Sequence, residues 1–490
     1  MHFFKNQMFA MQHNYVSLLM TALVITMETG ENHFPHKFGN NLIKILNNNW
    51  RYLFILGQLV MIYFQLYWHY WFVKLTGGYI INTLLPIMVL FLGFLFRELM
   101  HRQSSIRMKK RVLYLLIPLS CYVFFASISI ILNEEGFNNI KSYLIYIYSP
   151  VLLFISMLGL FMYKDNKNVS STINLLFIFA IMFSVYVAFT FLFNPTSIAE
   201  MPALETNRGI ISANTGSIYG IESLIVNRYT IPGISSNTYG ALLVPIVLGG
   251  FYIQKKFKGK KKYVFNLFLL FLIFSVFMSV SRGAILSLVA GTLYLVKWKW
   301  LKMKEVIILG LFLVISIFTF AKPIFLRSLI TLATFIPINK ILVIDIGQEY
   351  IGNDPHLLSI TETISYIYRN PFLGMGLSNL AAIQEFSYGK EHNNYLSIAA
   401  SFGLLTASFY ILFIIVLLTM LHKTIKRLPK ESPMKEMGIV LCAGLIALIV
   451  YMNSAPAEFH FIWIWFGLVA VWIRNCENEL LHIRVMGVCT

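Results

Sequence analysis

Five consecutive polar side chains occupy residues 391–395, with the sequence EHNNY, where a long hydrophilic segment meets a long apolar run. Histidine is the side chain whose ordinary pKa lies nearest neutrality, so His392 can accept or donate a proton at physiological pH. We therefore expect acid–base chemistry at this segment. Asn393 and Tyr395 are candidates to orient the histidine or bind substrate, and Glu391 to bind substrate or raise the basicity of the ring.

Two arginines accompany this segment. Arg282 lies between two apolar runs in the sequence SVSRGA (279–284), and Arg228 lies in NRYTIPG (227–233). An arginine at the centre of a membrane helix costs about 2.5–3.5 kcal/mol and needs compensation. Simpler explanations are a snorkelling side chain for Arg282 and a solvated loop residue for Arg228. Because a guanidinium binds phosphate oxygens bidentately and stays charged, the pair is suited to a diphosphate.

Carboxylates for a metal ion are scarce. The usual alternative for diphosphate chemistry is a metal held by acidic side chains. The chain has three aspartates, Asp165, Asp345 and Asp354, and the pattern Asp-x-Asp does not occur. The sequence also lacks a P-loop and a dinucleotide fingerprint. We therefore expect arginine to stabilise a departing diphosphate, with no metal and no cofactor.

The composition indicates that membrane helices position these residues. Of 490 residues, 58% are hydrophobic and 12% are charged, which exceeds what a soluble core can bury. Windows of roughly 17–25 apolar residues are long enough to cross a bilayer. They occur near residues 52–73, 79–97, 112–132, 143–163, 172–194, 236–254, 263–280, 283–298, 305–321, 394–421, 434–452 and 457–474. This predicts an all-α polytopic membrane protein with about 12 transmembrane helices.

Cations indicate the orientation, because lysine and arginine in short loops stay on the cytoplasmic side. They cluster in alternate loops, at residues 97–111, 255–262, 297–304 and 423–435. Both termini are therefore expected in the cytoplasm, with the long loops 195–235 and 322–393 outside. The formal net charge of +18 is then mainly a topology signal, and a nucleic-acid partner is disfavoured because the cations form no single patch.

These boundaries divide the chain into five segments. They are a cytoplasmic N-terminal segment (1–51), transmembrane helices 1–9 with the external loop 195–235 (52–321), the large external loop (322–393), transmembrane helices 10–12 (394–474) and a cytoplasmic tail (475–490). Within the first segment, residues 15–27 are apolar but short, and they could form an interfacial or a half-length helix.

The large external loop has its own pattern. Apolar residues at helical spacing begin after Asp354 and Pro355, a suitable N-cap and first-turn residue, and end at residues 369–371. Gly374 and Gly376 then suit a tight turn with positive φ or a close backbone approach. A second short helix is expected over 377–385. The simpler interpretation of the loop is an amphipathic hairpin on the bilayer surface.

Three motifs, in their order, spacing and common sidedness, are similar to those of the O-antigen ligase superfamily. They are SRGA (281–284) opening a helix, RNPFLGMG (369–376) late in the external loop, and HNNYL (392–396) followed by Gly403 and Leu404. The superfamily includes O-antigen ligases and the Wzy-type polymerases of O-antigen, capsule and exopolysaccharide. The resemblance covers residues 228–421, and elsewhere it rests on helix number and topology.

The resemblance implies a metal-independent, inverting glycosyltransferase of the GT-C type. It would act on the outer face of the bacterial cytoplasmic membrane, on glycans carried by undecaprenyl diphosphate. By this analogy Arg228 and Arg282 bind the donor diphosphate and His392 is the base toward the acceptor hydroxyl. Arg208 lies in the same loop as Arg228, and Arg369 is a further candidate. Expected partners are the lipid-linked donor, a glycan or lipid-linked acceptor, membrane lipid, a flippase and a chain-length regulator.

Three functions remain open at this stage. The length of the chain and its large external loop favour a polysaccharide polymerase. The alternative is an O-antigen ligase that moves the finished glycan to lipid A-core or protein. A twelve-helix transporter is a remoter alternative, since polar residues gather at one face and not at the midplane. Among the lesser candidates, Tyr395 also suits an interfacial aromatic belt and Glu391 an exposed loop.

Overall fold

The computed structural model describes part of the chain. The described residues are 57, 110–133, 147–161, 167–193, 215–218, 221–227, 236–279, 281–304, 307, 310–311, 355–376, 393–453 and 460–485. The chain divides into two compact units, Met1–Gly57 and Gln58–Thr490. Apart from Gly57, everything below belongs to the second unit. The predicted windows 52–73, 79–97 and 305–321 lie wholly or almost wholly outside the described residues, as does the short helix expected over 377–385.

Long apolar helices make up most of this part of the chain. In order they are α1 (Lys110–Leu132), α2 (Ser149–Phe161), α3 (Lys167–Phe193), α4 (Ser236–Gln254), α5 (Gly259–Met278), α6 (Arg282–Lys297), α7 (Pro355–Arg369), α8 (Asn394–Phe402), α9 (Leu404–Arg427), α10 (Pro433–Tyr451) and α11 (His460–Val485). Five described stretches are long and apolar enough to cross a membrane, in α1, α3, α5, α9 and α10. The helical membrane class is therefore confirmed, while the total of twelve spans stays a prediction.

A small β-hairpin was not predicted. Strands β1 (Thr215–Ile218) and β2 (Ile221–Asn227) pair antiparallel, with Thr215 opposite Asn227 and an irregularity between Gly216 and Ile218. The sequence IESLIVN of β2 is rich in β-branched residues, which favour strands. The all-α prediction therefore needs this addition within the segment 195–235.

The prediction of one continuous helix over 394–421 is wrong. The helix breaks at Gly403, which has φ 90° and ψ 161°, and separates the short α8 from the long α9. Such a conformation is essentially open only to glycine, and apolar periodicity alone does not reveal the break. At the other end of the chain, α11 continues to Val485, so helix extends into the segment expected to be a tail, 475–490.

The core forms around α10. This helix packs against α4, α6, α9 and α11, while α1 lies along α9 and α2 along α11. Aromatic rings join several of these helices: Phe413 stacks on Trp463 at 5.8 Å between centroids, and Phe154 meets Phe413 edge-on at 5.4 Å. Tyr410 continues the cluster toward Tyr395 of α8, at 6.3 Å. A rigid aromatic core therefore lies beneath α8.

Candidate functional site

Helix α6 begins at Arg282, as the sequence predicted. The hydroxyl of Ser281 accepts a hydrogen bond from the backbone N–H of Ala284 at 3.2 Å and caps the helix. The backbone N–H of Ser281 in turn donates to Ser279 Oγ at 3.3 Å. Both serines are buried. The backbone position of Arg282 is therefore fixed at the first residue of a helix, where the aligned peptide dipoles leave a partial positive charge.

Helix α8 begins one residue after Asn393. The side-chain oxygen of Asn393 accepts from the backbone N–H groups of Tyr395 at 3.0 Å and Leu396 at 3.1 Å. This is an N-cap, and asparagine is among the best residues for it. Asn393, expected to contact substrate or the histidine, therefore has its oxygen committed to the helix.

Asn394 fastens the same helix to its neighbours and was not foreseen as a site residue. Its backbone N–H donates to Met452 O at 2.8 Å, and its Nδ2 donates to Tyr410 Oη at 3.2 Å. The Tyr410 hydroxyl donates onward to Met452 Sδ at 3.3 Å. Asn394 is fully buried, and its Oδ1 has no hydrogen-bond partner among the residues that the structure describes.

Tyr395 supplies a third attachment. Its hydroxyl donates to the backbone carbonyl of Ile449, in the last turn of α10, at 3.3 Å. Burial raises the pKa of this phenol to about 12, so it remains a neutral donor at physiological pH. Three successive residues at the start of α8 are thus held in place, the last two of them against the end of α10.

The start of α8 and the start of α6 lie at the same end of the bundle. Asn394 joins α8 to Met452 at the end of α10, and the hydroxyl of Tyr451 beside it lies near the side chain of Thr238 in the first turn of α4. A Cβ at Gly240 would overlap the Ser279 side chain, so α4 lies directly against the turn before α6. Two of the predicted motifs, SRGA and HNNYL, are therefore brought to one end of the bundle.

The third motif closes a clasp on the other end of α8. We use "glycine clasp" for residues 371–376 and 400–404. Met375 N–H donates to Ala400 O at 2.7 Å, Gly376 N–H to Ser401 O at 3.0 Å, and Leu404 N–H to Pro371 O at 2.7 Å. The Leu373 carbonyl also accepts from the hydroxyl of Ser129 near the end of α1. Residues 371–376 are thereby tied to α8, α9 and α1 through their own main-chain atoms.

The glycines make this close approach feasible. Gly374 has φ 68°, and a Cβ there would lie 2.5 Å from the backbone of residues 401 and 402. A Cβ at Gly403 would overlap the carbonyl of Phe372. The positive φ expected at Gly374 and Gly376 is confirmed, with 68° and 83°.

Arg369 is placed differently from the other candidates. It is the last residue of α7, as predicted, and is exposed at the surface. The clasp ties the residues just after it to the C-terminal end of α8, and nine helical residues span roughly 13 Å. Arg369 is therefore near the end of α8 that is opposite to the Asn393 cap.

The remaining candidates lie outside the described residues. They are His392, Glu391, Arg228, Arg208 and the side chain of Arg282. His392 directly precedes Asn393, and Arg228 directly follows the last residue of β2. Among the described residues, no group of three or more His, Cys, Asp or Glu side chains is placed to hold a metal ion.

Some residues of the site had a signal in the sequence and others had none. Ser281 before an apolar run is a recognisable N-cap. Gly403 is a weaker signal, because a single glycine inside an apolar run is often tolerated within a helix. Tyr410 and Met452 carry no such signal, since their contacts with Asn394 join residues far apart in the chain.

Comparison with known proteins finds a family match over the part of the chain that carries the three motifs. A family model described as O-antigen ligase matches residues 267–411, from within α5 to the first half of α9. The match contains all three motifs, whereas Arg228 lies before it. No curated protein matches the chain significantly. Over residues 267–411 the chain is therefore similar to the O-antigen ligase family, as its motifs indicated.

Proposed function

We propose that the protein is a membrane glycosyltransferase that polymerises polysaccharide repeat units carried on undecaprenyl diphosphate. One observation carries the proposal: α6, which begins at Arg282, and α8, which begins directly after the His392-Asn393 pair, start at the same end of the bundle. A diphosphate-binding arginine and a base then lie on one side of the membrane. The expected site is on the outer face of the cytoplasmic membrane.

Arg282 acts on the departing group in this proposal. Its cationic guanidinium and the positive end of α6 both favour an anion. Arg228, after β2, is the second ligand of the diphosphate, and Arg208 is an alternative to it. Charge stabilisation by arginine replaces a metal ion, in keeping with the three aspartates of the chain.

His392 acts on the acceptor. Its neutral ring takes the proton of an acceptor hydroxyl while the oxygen forms a bond to the anomeric carbon of the donor sugar. The bond from that carbon to the diphosphate oxygen breaks on the opposite face, so the configuration inverts. The proton ends on the imidazole and the negative charge on the diphosphate, where arginine holds it.

Asn393 and Tyr395 position the base in this scheme. The capped and pinned start of α8 fixes the backbone directly after His392, because both polar side chains are committed to the helix or to α10. Arg369 and Glu391 are proposed to contact sugar or diphosphate groups further along the glycan.

A ligase uses the same donor chemistry, and the family description names that activity. We favour a polymerase because of the large external loop 322–393. The lipid-linked glycan that accumulates on gene deletion separates them: single repeat units indicate a polymerase, and long untransferred chains indicate a ligase.

Catalysis itself is tested by substitution in membranes. His392→Ala and Arg282→Ala are expected to abolish glycan transfer, and Arg282→Lys to restore little because lysine cannot bind bidentately. His422→Ala, near the opposite end of α9, is the matched control. Full activity in His392→Ala and Arg282→Ala together with normal insertion contradicts the proposal.

A further inference from the structure

A groove runs along α1 and α9 at the end opposite the glycine clasp. Its volume is about 630 Å³, within the range of small-molecule sites, about 300–1,000 Å³. Tyr114 and Ile117 of α1 line one side, and Ile415, Val416 and Met420 of α9 line the other. Tyr114 and Ile117 are each 58% exposed, so the groove opens toward the surroundings of the bundle.

The lining of the groove is apolar along most of its length and charged at one end. Lys423 and Arg427 line its end, and their four-residue spacing places them on one face of α9. Glu477 of α11 also lines it and is largely buried, with 7% exposure. Two cations and one carboxylate leave a net positive charge at this end. The lining therefore suits a molecule with an apolar chain and an anionic head.

The position of this charged end separates it from the candidate active site. Phe125 of α1 stacks on Phe409 of α9 at 5.3 Å, and Ser129 contacts the clasp. The 23 helical steps from Leu404 to Arg427 span roughly 35 Å. An anion held by Lys423 and Arg427 therefore lies near the opposite membrane boundary from the start of α9.

We propose that this groove binds an anionic glycerophospholipid of the leaflet at that boundary. Its phosphate lies between Lys423 and Arg427, and an acyl chain lies along the apolar part of the groove. The lipid carrier of the proposed reaction is a poorer occupant, because its diphosphate belongs at the other end of the bundle. The groove and its charged end do not depend on the proposed function, and only the exclusion of that carrier rests on it.

The full chain, purified in neutral detergent, is titrated with phosphatidylglycerol and with phosphatidylcholine of identical acyl chains. Native mass spectrometry counts retained lipid and a thermal scan follows stabilisation. Phosphatidylglycerol is expected to bind more tightly and to raise the melting temperature further. In the double variant Lys423→Gln/Arg427→Gln the affinity for phosphatidylglycerol is expected to fall about 25-fold, because each lost cation removes about 1 kcal/mol of binding free energy. The preference for phosphatidylglycerol over phosphatidylcholine is expected to disappear.

Two further variants sharpen the test. Lys261→Gln/Lys262→Gln removes two exposed cations from α5, which packs on α3, α4 and α6, and is expected to keep the preference. Ile415→Trp fills the apolar part of the groove and is expected to weaken binding of both lipids. Equal binding of the two lipids to the native protein overturns the proposal. It is also overturned if a polyprenyl phosphate displaces phosphatidylglycerol from the native protein but not from the double variant.

Discussion

The two ends of α8 are fixed by different kinds of contact. At its start, side chains hold the helix: the Asn393 cap, the Asn394 amide on Tyr410 and the Tyr395 hydroxyl on Ile449. At its end, main-chain hydrogen bonds hold it to residues 371–376, with Gly374 and Gly403 allowing the approach. A side-chain contact can be replaced by a similar group, whereas a backbone contact fails when any Cβ intervenes.

This difference matches the roles that we propose for the two ends. The start of α8 must place His392 to within a fraction of an ångström for proton transfer, and several directional hydrogen bonds achieve that. The end of α8 anchors residues 371–376, the turn that follows α7, to the bundle. Substitutions at the clasp should therefore act first on folding, and substitutions at the start of α8 more on activity.

Gly403→Ala is expected to have the largest effect. Its backbone lies in a region open essentially only to glycine, and the new Cβ would overlap the Phe372 carbonyl. Strain and overlap together cost about 4 kcal/mol. Thermal unfolding in detergent and proteolysis of the loop 322–393 measure the loss.

Gly259→Ala is the matched control for that change. Gly259 also has positive φ, at 57°, but nothing lies within 4 Å of its added Cβ. It should cost only about 1 kcal/mol. Equal destabilisation by the two variants would show that close approach of the clasp does not matter.

Asn394→Asp comes next in size. It replaces the amide that donates to Tyr410 by a carboxylate in a fully buried position. The cost is about 3 kcal/mol, and Asn394→Ala should cost less, about 1–2 kcal/mol. The free energies of unfolding of both variants test this order. A smaller loss of stability in Asn394→Asp than in Asn394→Ala would contradict the argument from burial of the carboxylate.

Asn393 distinguishes a cap from a substrate ligand. Asn393→Ala removes the cap and should cost about 1 kcal/mol, whereas Asn393→Asp keeps it. If the residue only positions the helix, Asn393→Asp retains both stability and glycan transfer. Normal stability with lost transfer would instead assign its amide N–H groups to substrate.

Tyr395→Phe has a similarly small expected effect, about 1 kcal/mol at neutral pH from the lost bond to Ile449. Its pKa is raised from 10.0 to about 12, so the folded protein keeps the proton between these values while the unfolded chain releases it. The stability contributed by Tyr395 is thus complete below pH 10 and is lost as the pH rises through about 12. The gap in melting temperature between the native protein and Tyr395→Phe should narrow over that interval; a constant gap contradicts the assignment.

Much of the fold follows from local pattern. The apolar windows coincide with α1, α3, α4, α5, α6 and α10 because a helix that faces lipid or core must be apolar along its length. The amphipathic α7 appears where its pattern and Pro355 indicated. The break at Gly403 was missed because apolar residues continue on both sides, and the hairpin β1–β2 because its strands are short.

The candidate site, like the fold, was predictable from the sequence only in part. The sequence determined which residue types are available, namely an arginine at the start of a helix, a histidine before an N-cap and glycines in the turn after α7. Capping and positive φ are properties of a few neighbouring residues. Only the tertiary structure decided that α6 and α8 start at one end of the bundle, through Met452, Tyr451 and Gly240. It also decided that the clasp closes on the far end of α8. These contacts join residues up to roughly 200 positions apart, and packing alone selects such partners.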